Sequence, residues 1–516
     1  MSVGAARAVP FYLLAALCVT AQTGVNRGQA TKASLPEALP RMWEDAAVAT
    51  LELPLADPVG SPKHVSSDYY YKIPVRPIYK SYPIYAPGHE PPGYLDGLKQ
   101  QEPQIIWDDA GHRPPLETHT DWIRAGELVF DSPFRYDTTI SVSEVREPVW
   151  WAKTGAQAAR DGTLPGWRYT IRKKGQVEVG NVSCAACHDR LMPDGRVIKG
   201  AQGNFPFDRA RAFLSRNRAT PQFARLFESS LFATPWLKSD PQGWLSRASI
   251  DEIASVHEAI PPGVLARHRS SLFYPVQVPD LVGVKYRHYL DRTGLQQQRS
   301  LVDLMRYAAL NQAADDLATY DGFLPAAIPD FTTLPDPADP VRIGGRYSDE
   351  QLYALARYVY SLEPPPNPNK FDAVAAHGQR VFEREGCPMC HTPPLYTNNK
   401  LTLAEGFTPP PGAEKKYDIL PISVGTDPNL ALKTRRGTGY YKVPTLKGVW
   451  YRGMFGHSGW CATLEDWFDP HRTRDDYVPT GFKPCGAKTY AVKGHPFGLD
   501  LSAEDRKALI AFLKTL

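Results

Sequence analysis

The chain predicts a mainly α fold in which two related units follow one another behind an extended N-terminal arm. Three observations carry that expectation. Cys-x-x-Cys-His occurs twice, at Cys184-Ala185-Ala186-Cys187-His188 and at Cys387-Pro388-Met389-Cys390-His391. Blocks around the first copy recur in the same order around the second. A segment rich in proline and tyrosine precedes both, and prolines every few residues forbid regular helix and favour extended chain.

The repeated motif fixes a chemistry. Two thiols three positions apart reach both vinyl groups of a porphyrin, and the adjacent imidazole is then set under the iron. That is the attachment signature of a c-type haem. A zinc site or a redox dithiol would use the same residues, but the duplication speaks against both. Cys184, Cys187, Cys387 and Cys390 are thus the expected attachment points of two covalent haem c groups. His188 and His391 are the expected proximal ligands of the iron. The fold expectation sharpens to two cytochrome c-like haem domains with long loops and little sheet.

The duplication extends beyond the motif. Ala125-Gly126-Glu127-Leu128-Val129-Phe130 matches His377-Gly378-Gln379-Arg380-Val381-Phe382, although the first copy carries an excursion over 131–181 before its motif. Val278-Pro279-Asp280-Leu281-Val282-Gly283 matches Val443-Pro444-Thr445-Leu446-Lys447-Gly448, and 348–362 matches 502–516 without a gap. Ser348 and Ser502 suit helix N-caps, and Leu355, Tyr358, Val359 and Leu362 recur at helical spacing. Three blocks in one order mark an internal duplication. Domain 1 is expected over 115–365 and domain 2 over 370–516. Glu363-Pro364-Pro365-Pro366-Asn367-Pro368-Asn369 forms a stiff spacer between them.

Composition bounds the partners. The 516 residues include 59 basic and 55 acidic side chains, so no polyanion partner such as nucleic acid is indicated. The 49 prolines and 39 glycines imply much irregular chain. Residues 1–21 read as a secretory signal, with Arg7, an apolar run from Val9 to Leu17 and a small-residue site, and are too short to span a bilayer. A retained anchor is the competing reading of that run. The expected mature protein is soluble, not membrane-spanning, and periplasmic or secreted. Residues 22–114 form the arm, expected to pack over the core. Cys461 and Cys485, left over in an oxidising compartment, are expected to form a disulfide.

Axial ligands decide what each iron does. Counted from the shared Val-Pro, His457 falls on Arg292. His457 is the expected sixth ligand of haem 2, with Met454 and His495 as competitors. Haem 1 then lacks an imidazole at the equivalent place and is open to peroxide or O2. His257, His268 or His288 would close it instead. Arg292 is the candidate catalytic group, stabilising charge at haem 1, and competes with a role as a propionate or carboxylate partner. Trp450 is a candidate for electron passage between the haems, or plain core.

These residues resemble the bacterial di-haem cytochrome c peroxidase superfamily, including its MauG-like and rubber-oxygenase-like members. The resemblance runs through Gly378-x-x-Val381-Phe382, Cys387-x-x-Cys390-His391 and Val424-Gly425-Thr426-Asp427-Pro428. It continues through Tyr441-Lys442-Val443-Pro444 and Gly456-His457-Ser458-Gly459, covering most of 370–516. It implies an exported oxidoreductase with one reactive and one electron-transferring haem, the latter served by a redox protein or a quinol-linked donor. Calcium is a further candidate cofactor. The excursion, the arm and Arg292 depart from the peroxidase pattern. The competing class is a non-catalytic di-haem electron-transfer cytochrome.

Overall fold

The computed structural model describes residues 39–136, 139–238, 241–266, 272–312, 317–320 and 345–516. The expected signal segment and His268 lie outside the described residues. The helices that organise the chain are α1 (His119–Asp131), α2 (Phe207–Asn217), α3 (Pro221–Phe232), α4 (Ile250–Glu258), α5 (Asp349–Ser361), α6 (Ala373–Arg384) and α7 (Ala503–Lys514). Capping starts them where the sequence suggests. Thr118 and Ser348 form reciprocal capping boxes with Asp121 and Gln351, and Ser502 accepts from Asp505 N.

The duplication is visible as two helix crossings in one register. α1 crosses α5, and α6 crosses α7. A methyl group at Gly126 would stand 2.0 Å from the Ala354 carbonyl oxygen, and one at Gly378 would stand 1.9 Å from that of Ala508. Ala354 and Ala508 hold the same position in the recurring block, so each crossing needs a glycine at its closest point. The adjoining rings repeat too. Phe130 meets Tyr358 at 5.2 Å and 59°, and Phe382 meets Phe512 at 5.4 Å and 59°.

Elsewhere the fold departs from a mainly α reading. An antiparallel sheet joins β1 (Ser81–Tyr85), β2 (Arg135–Tyr136), β3 (Thr163–Lys173) and β4 (Gln176–Asn181) in the order β1-β3-β4-β2. Most of the excursion before Cys184 is therefore a folded platform. Trp167, Tyr169 and Ile171 are buried at alternate positions of β3, and Lys173 pairs with Gln176 across a Lys174-Gly175 turn. That alternation and turn are a hairpin signal in the sequence. A smaller sheet pairs Leu401–Leu403 with Ile419–Ser423 and Tyr440–Lys442.

The arm is also more than extended chain. It supplies β1 and the short helices Ser67–Lys72 and Tyr94–Lys99. Trp43 and Tyr70 are fully buried and stacked at 4.6 Å. Tyr71 donates to Asp349 at 2.8 Å, at the first turn of α5. The prolines break the arm into short elements, and the tyrosines between them pack as core.

Two further expectations change. His257 on α4 is fully buried and held on both ring nitrogens, by Asp208 of α2 at 2.8 Å and by Glu228 of α3 at 3.2 Å. Its ring is committed to this three-helix junction. Cys461 and Cys485 are not bonded. Cys461 is buried, its thiol pushed up to about 11 by burial, whereas Cys485 is exposed. The oxidising compartment that motivated a bridge does not by itself bring two thiols into bonding distance.

Three outcomes follow from this packing. Gly378→Ala forces α6 from α7 and should cost about 1–3 kcal/mol in chemical denaturation, as overpacking does. A value within about 0.5 kcal/mol of the parent would contradict the close crossing. Iodoacetamide should label Cys485 in the folded protein and Cys461 only after unfolding; no label on either without reductant would restore the disulfide. The third concerns pH. Burial alone would lower His257 and raise Glu228, but their mutual attraction, with Asp208 and Arg211 beside them, reverses both. The raised imidazole stabilises below its unfolded pKa and loses that contribution as pH rises through the folded value. The lowered carboxyl stabilises above its unfolded pKa and loses it as pH falls. His257→Gln should therefore destabilise most between about pH 5 and 6, by about 3 kcal/mol. A cost independent of pH in urea titrations would contradict the charged pair.

Candidate functional site

The two Cys-x-x-Cys-His segments are supported differently but end alike. Cys184–His188 is one helical turn whose N-cap, Ser183, accepts from Ala186 N at 2.9 Å and donates to the Gly166 carbonyl of β3 at 3.2 Å. Cys387–Met389 is a 3-10 turn following α6. Neither cysteine pair is oxidised to a disulfide. His188 Nδ1 donates to the Pro279 carbonyl at 3.0 Å. His391 Nδ1 donates to Tyr396 O at 3.2 Å, with the Pro444 carbonyl as a second acceptor. Pro279 and Pro444 are equivalent residues of the recurring block. A carbonyl can only accept, so each Nδ1 carries a proton. That is the tautomer a metal-ligating imidazole needs.

The block keeps its shape as well as its letters. Gly283 and Gly448 both adopt left-handed backbone, with φ of 71° and 74°. Arg287 donates to the Asp280 carbonyl, and Arg452 donates to that of Thr445 at 2.9 Å, the matching position. The pairing of Leu290 with Gln296 recurs as Phe455 with Cys461. Arg292 and His457 do occupy equivalent places in these hairpins.

A cavity of about 230 Å³ lies against Cys387, Cys390 and His391, walled by Phe382, Leu446, Leu464, Phe468 and Leu509. Across it stands His495, its ring centre 6.4 Å from that of His391 and its plane turned by 55°. Burial pushes His391 down to about 4, and burial with His391 beside it pushes His495 down to about 3. Both rings are neutral at neutral pH and able to ligate. His495 Nδ1 is buried with no hydrogen-bond partner. Two imidazoles on opposite sides of one metal, each bonded at about 2 Å, have ring centres about 6 Å apart. Two thiols, two neutral imidazoles and apolar walls together fit a c-type haem.

Arg472 builds that arrangement and carries no sequence signal, since an arginine among charged neighbours reads as surface. It is fully buried and donates to the carbonyls of Trp467 at 2.7 Å, Val492 at 2.5 Å, Gly494 at 3.1 Å and His495 at 2.9 Å. His495 N donates to Val424 O at 2.6 Å. The glycines and proline around His495 were the available clue to a shaped loop.

The remaining expectations distribute around this cavity. His457 lines it, but its ring stacks on Tyr441 at 4.2 Å and its Nε2 meets Tyr441 Oη at 3.2 Å. Tyr441 spends its proton on the Asp427 carbonyl at 2.7 Å, so His457 Nε2 is the donor there. Met454 packs against Gly263 and Gly459 in an apolar cluster with Val264 and Trp460. Arg292 lines the His391 cavity, donating to the carbonyls of Gln277 at 3.4 Å and Val278 at 3.3 Å. Burial, then Arg452 and Arg287, push it down to about 9. Trp450 lies edge-on to Tyr451 at 5.1 Å, and Tyr451 reaches the other half, donating to Asp280 at 2.8 Å. His288 is exposed and paired with Asp418 at 3.4 Å.

Among the described residues, no group of three or more His, Cys, Asp or Glu is arranged to hold a metal ion. No helix among them is long and apolar enough to cross a membrane.

No protein-family model and no curated sequence matches the chain. Two solved structures are similar to it in part. One is hydrazine synthase of Kuenenia stuttgartiensis pressurised with xenon, 15% identical over 58% of this chain and 88% of that one, with a TM-score of 0.29. The other is a MauG-like protein associated with microbial copper homeostasis, 16% identical over 47% of this chain and 73% of that one, with a TM-score of 0.27.

Proposed function

We propose that the chain is an exported di-haem c-type oxidoreductase. One haem attaches at Cys184 and Cys187 with His188 as ligand, in a domain spanning 115–365. The second attaches at Cys387 and Cys390 with His391 as ligand, in a domain spanning 370–516. The observation that carries the reading is His391 facing His495 at 6.4 Å over a cavity that ends on Cys387 and Cys390. His391 and His495 would together hold the second haem in this reading, and His457 would be a hydrogen-bonded wall residue.

A haem closed by two imidazoles exchanges single electrons, and one with an open position takes up a small oxidant such as peroxide or O2. The chain's own residues divide the work accordingly. The Pro279 carbonyl holds the Nδ1 proton of His188 and the Tyr396 carbonyl that of His391, which fixes each ring and raises its basicity as a ligand. Arg472 fixes His495 against His391. Of the three histidines that could close the first site, His257 and His288 are engaged elsewhere and His268 lies outside the described residues. In this reading the first site is the one that would receive a small oxidant, for a peroxidase-like or oxygenase-like reaction. A redox protein or quinol-linked donor would supply electrons through the second haem.

EPR of the ferric protein tests the assignment. His495→Ala should abolish the low-spin signal of one haem, and His457→Ala should leave it in place. The opposite pattern would return the ligand role to His457. Two low-spin haems with no spectral response to peroxide would make the protein an electron-transfer cytochrome.

A further inference from the structure

One wall of the His391 cavity is cationic. Arg292, Lys442 and Arg452 line it, and with Arg287 they also line a small space between the Pro279 and Pro444 turns. The wall joins the two halves of the chain, since Lys442 N donates to Arg292 O at 3.1 Å. Its charge is poorly matched from within. Arg292 contacts carbonyls at 3.3 and 3.4 Å, and Lys442 Nζ contacts the Tyr289 carbonyl at 3.3 Å. Arg452 stands 3.9 Å from Asp280, with its Nε buried and lacking a hydrogen-bond partner. The nearby Asp291 is already paired with Arg436 at 2.8 Å. Burial and the neighbouring Arg287 and Arg292 hold Lys442 well below its ordinary range. Cations gathered inside a protein without matching anions are costly.

The cavity therefore has apolar walls, two thiols at one boundary and one wall of buried basic side chains. A porphyrin has the complementary profile: apolar faces, two vinyl groups and an edge bearing two carboxylates. We propose that Arg292, Lys442 and Arg452 form the carboxylate-binding wall of this cavity and receive the two propionates of the second haem. The proposal rests on the haem reading above and names the residues that orient the group within that site. It also accounts for an arginine standing where the second half has His457: Arg292 serves the cavity of the other half. Positive charge beside the propionates favours the reduced iron, which carries one positive charge fewer, and so raises the reduction potential.

Potentiometric titration of the full-length haem-loaded protein tests this, followed at the low-spin haem. Arg292→Gln and Lys442→Gln should each lower its midpoint potential, and Lys442→Arg should keep it near that of the parent. Glutamine variants that carry full haem and titrate with the parent would overturn the proposal. If they fail to fold by circular dichroism, Arg292→Lys and Lys442→Arg are read by resonance Raman. A displaced propionate-bending band then supports the wall, and an unmoved band overturns it. Absence of covalent haem at Cys387 and Cys390 in the parent, by mass spectrometry, would instead sink the haem reading itself.

Discussion

The contact on which the candidate site depends is the hydrogen bond from an imidazole Nδ1 to a backbone carbonyl. His188 makes it to Pro279, and His391 makes it to Tyr396 with Pro444 as a second acceptor. One bond does two things. It fixes the tautomer that leaves Nε2 able to ligate, and it ties each motif to a block far away in sequence. That block then sets its surroundings. Arg287 and Arg452 brace the two turns through the carbonyls of Asp280 and Thr445, and Tyr451 of one half reaches Asp280 of the other. The two sites are thus connected through the turns that hold their histidines.

Around that constant unit the halves have diverged in what supports the motif. In the second half, α6 leads directly into Cys387 and crosses α7 at Gly378. In the first, α1 crosses α5 in the same register at Gly126, but the sheet built from the excursion and from the arm intervenes before Cys184. Backbone at Gly166 of β3 receives the Ser183 hydroxyl, so the platform anchors the first motif directly. The inserted chain is part of the first site's frame.

Much of this was legible in the sequence because it rests on local chemistry. The motifs, the helix caps, the glycines at the crossings and the hairpin equivalence of Arg292 with His457 all appear where the repeats place them. The sheet was less legible because the proline-rich arm masks β1, although β3 carried an alternating pattern and a turn. The arm's burial escaped because prolines report where helix cannot run, and say nothing of whether the intervening aromatics are covered. The disulfide expectation failed for a related reason: compartment and parity describe thiol chemistry, whereas bonding needs Cβ atoms brought together.

The sequence by itself determined which atoms are available at the candidate centre: four thiols in two pairs, the two adjacent histidines and a duplicated frame to hold them. The tertiary structure decided which side chains face them. As letters, His457 was the expected donor and His495 only a competitor, but Tyr441 engages His457, and Arg472 holds the His495 backbone where its ring stands near that of His391. Arg292 looked like a group of the first half, yet folding sets it in the cavity of the second. Spacing along a chain limits only what neighbours can do together. The direction of a side chain across a cavity is fixed by hydrogen bonds from residues far away in sequence, and those exist only once the chain has closed on itself.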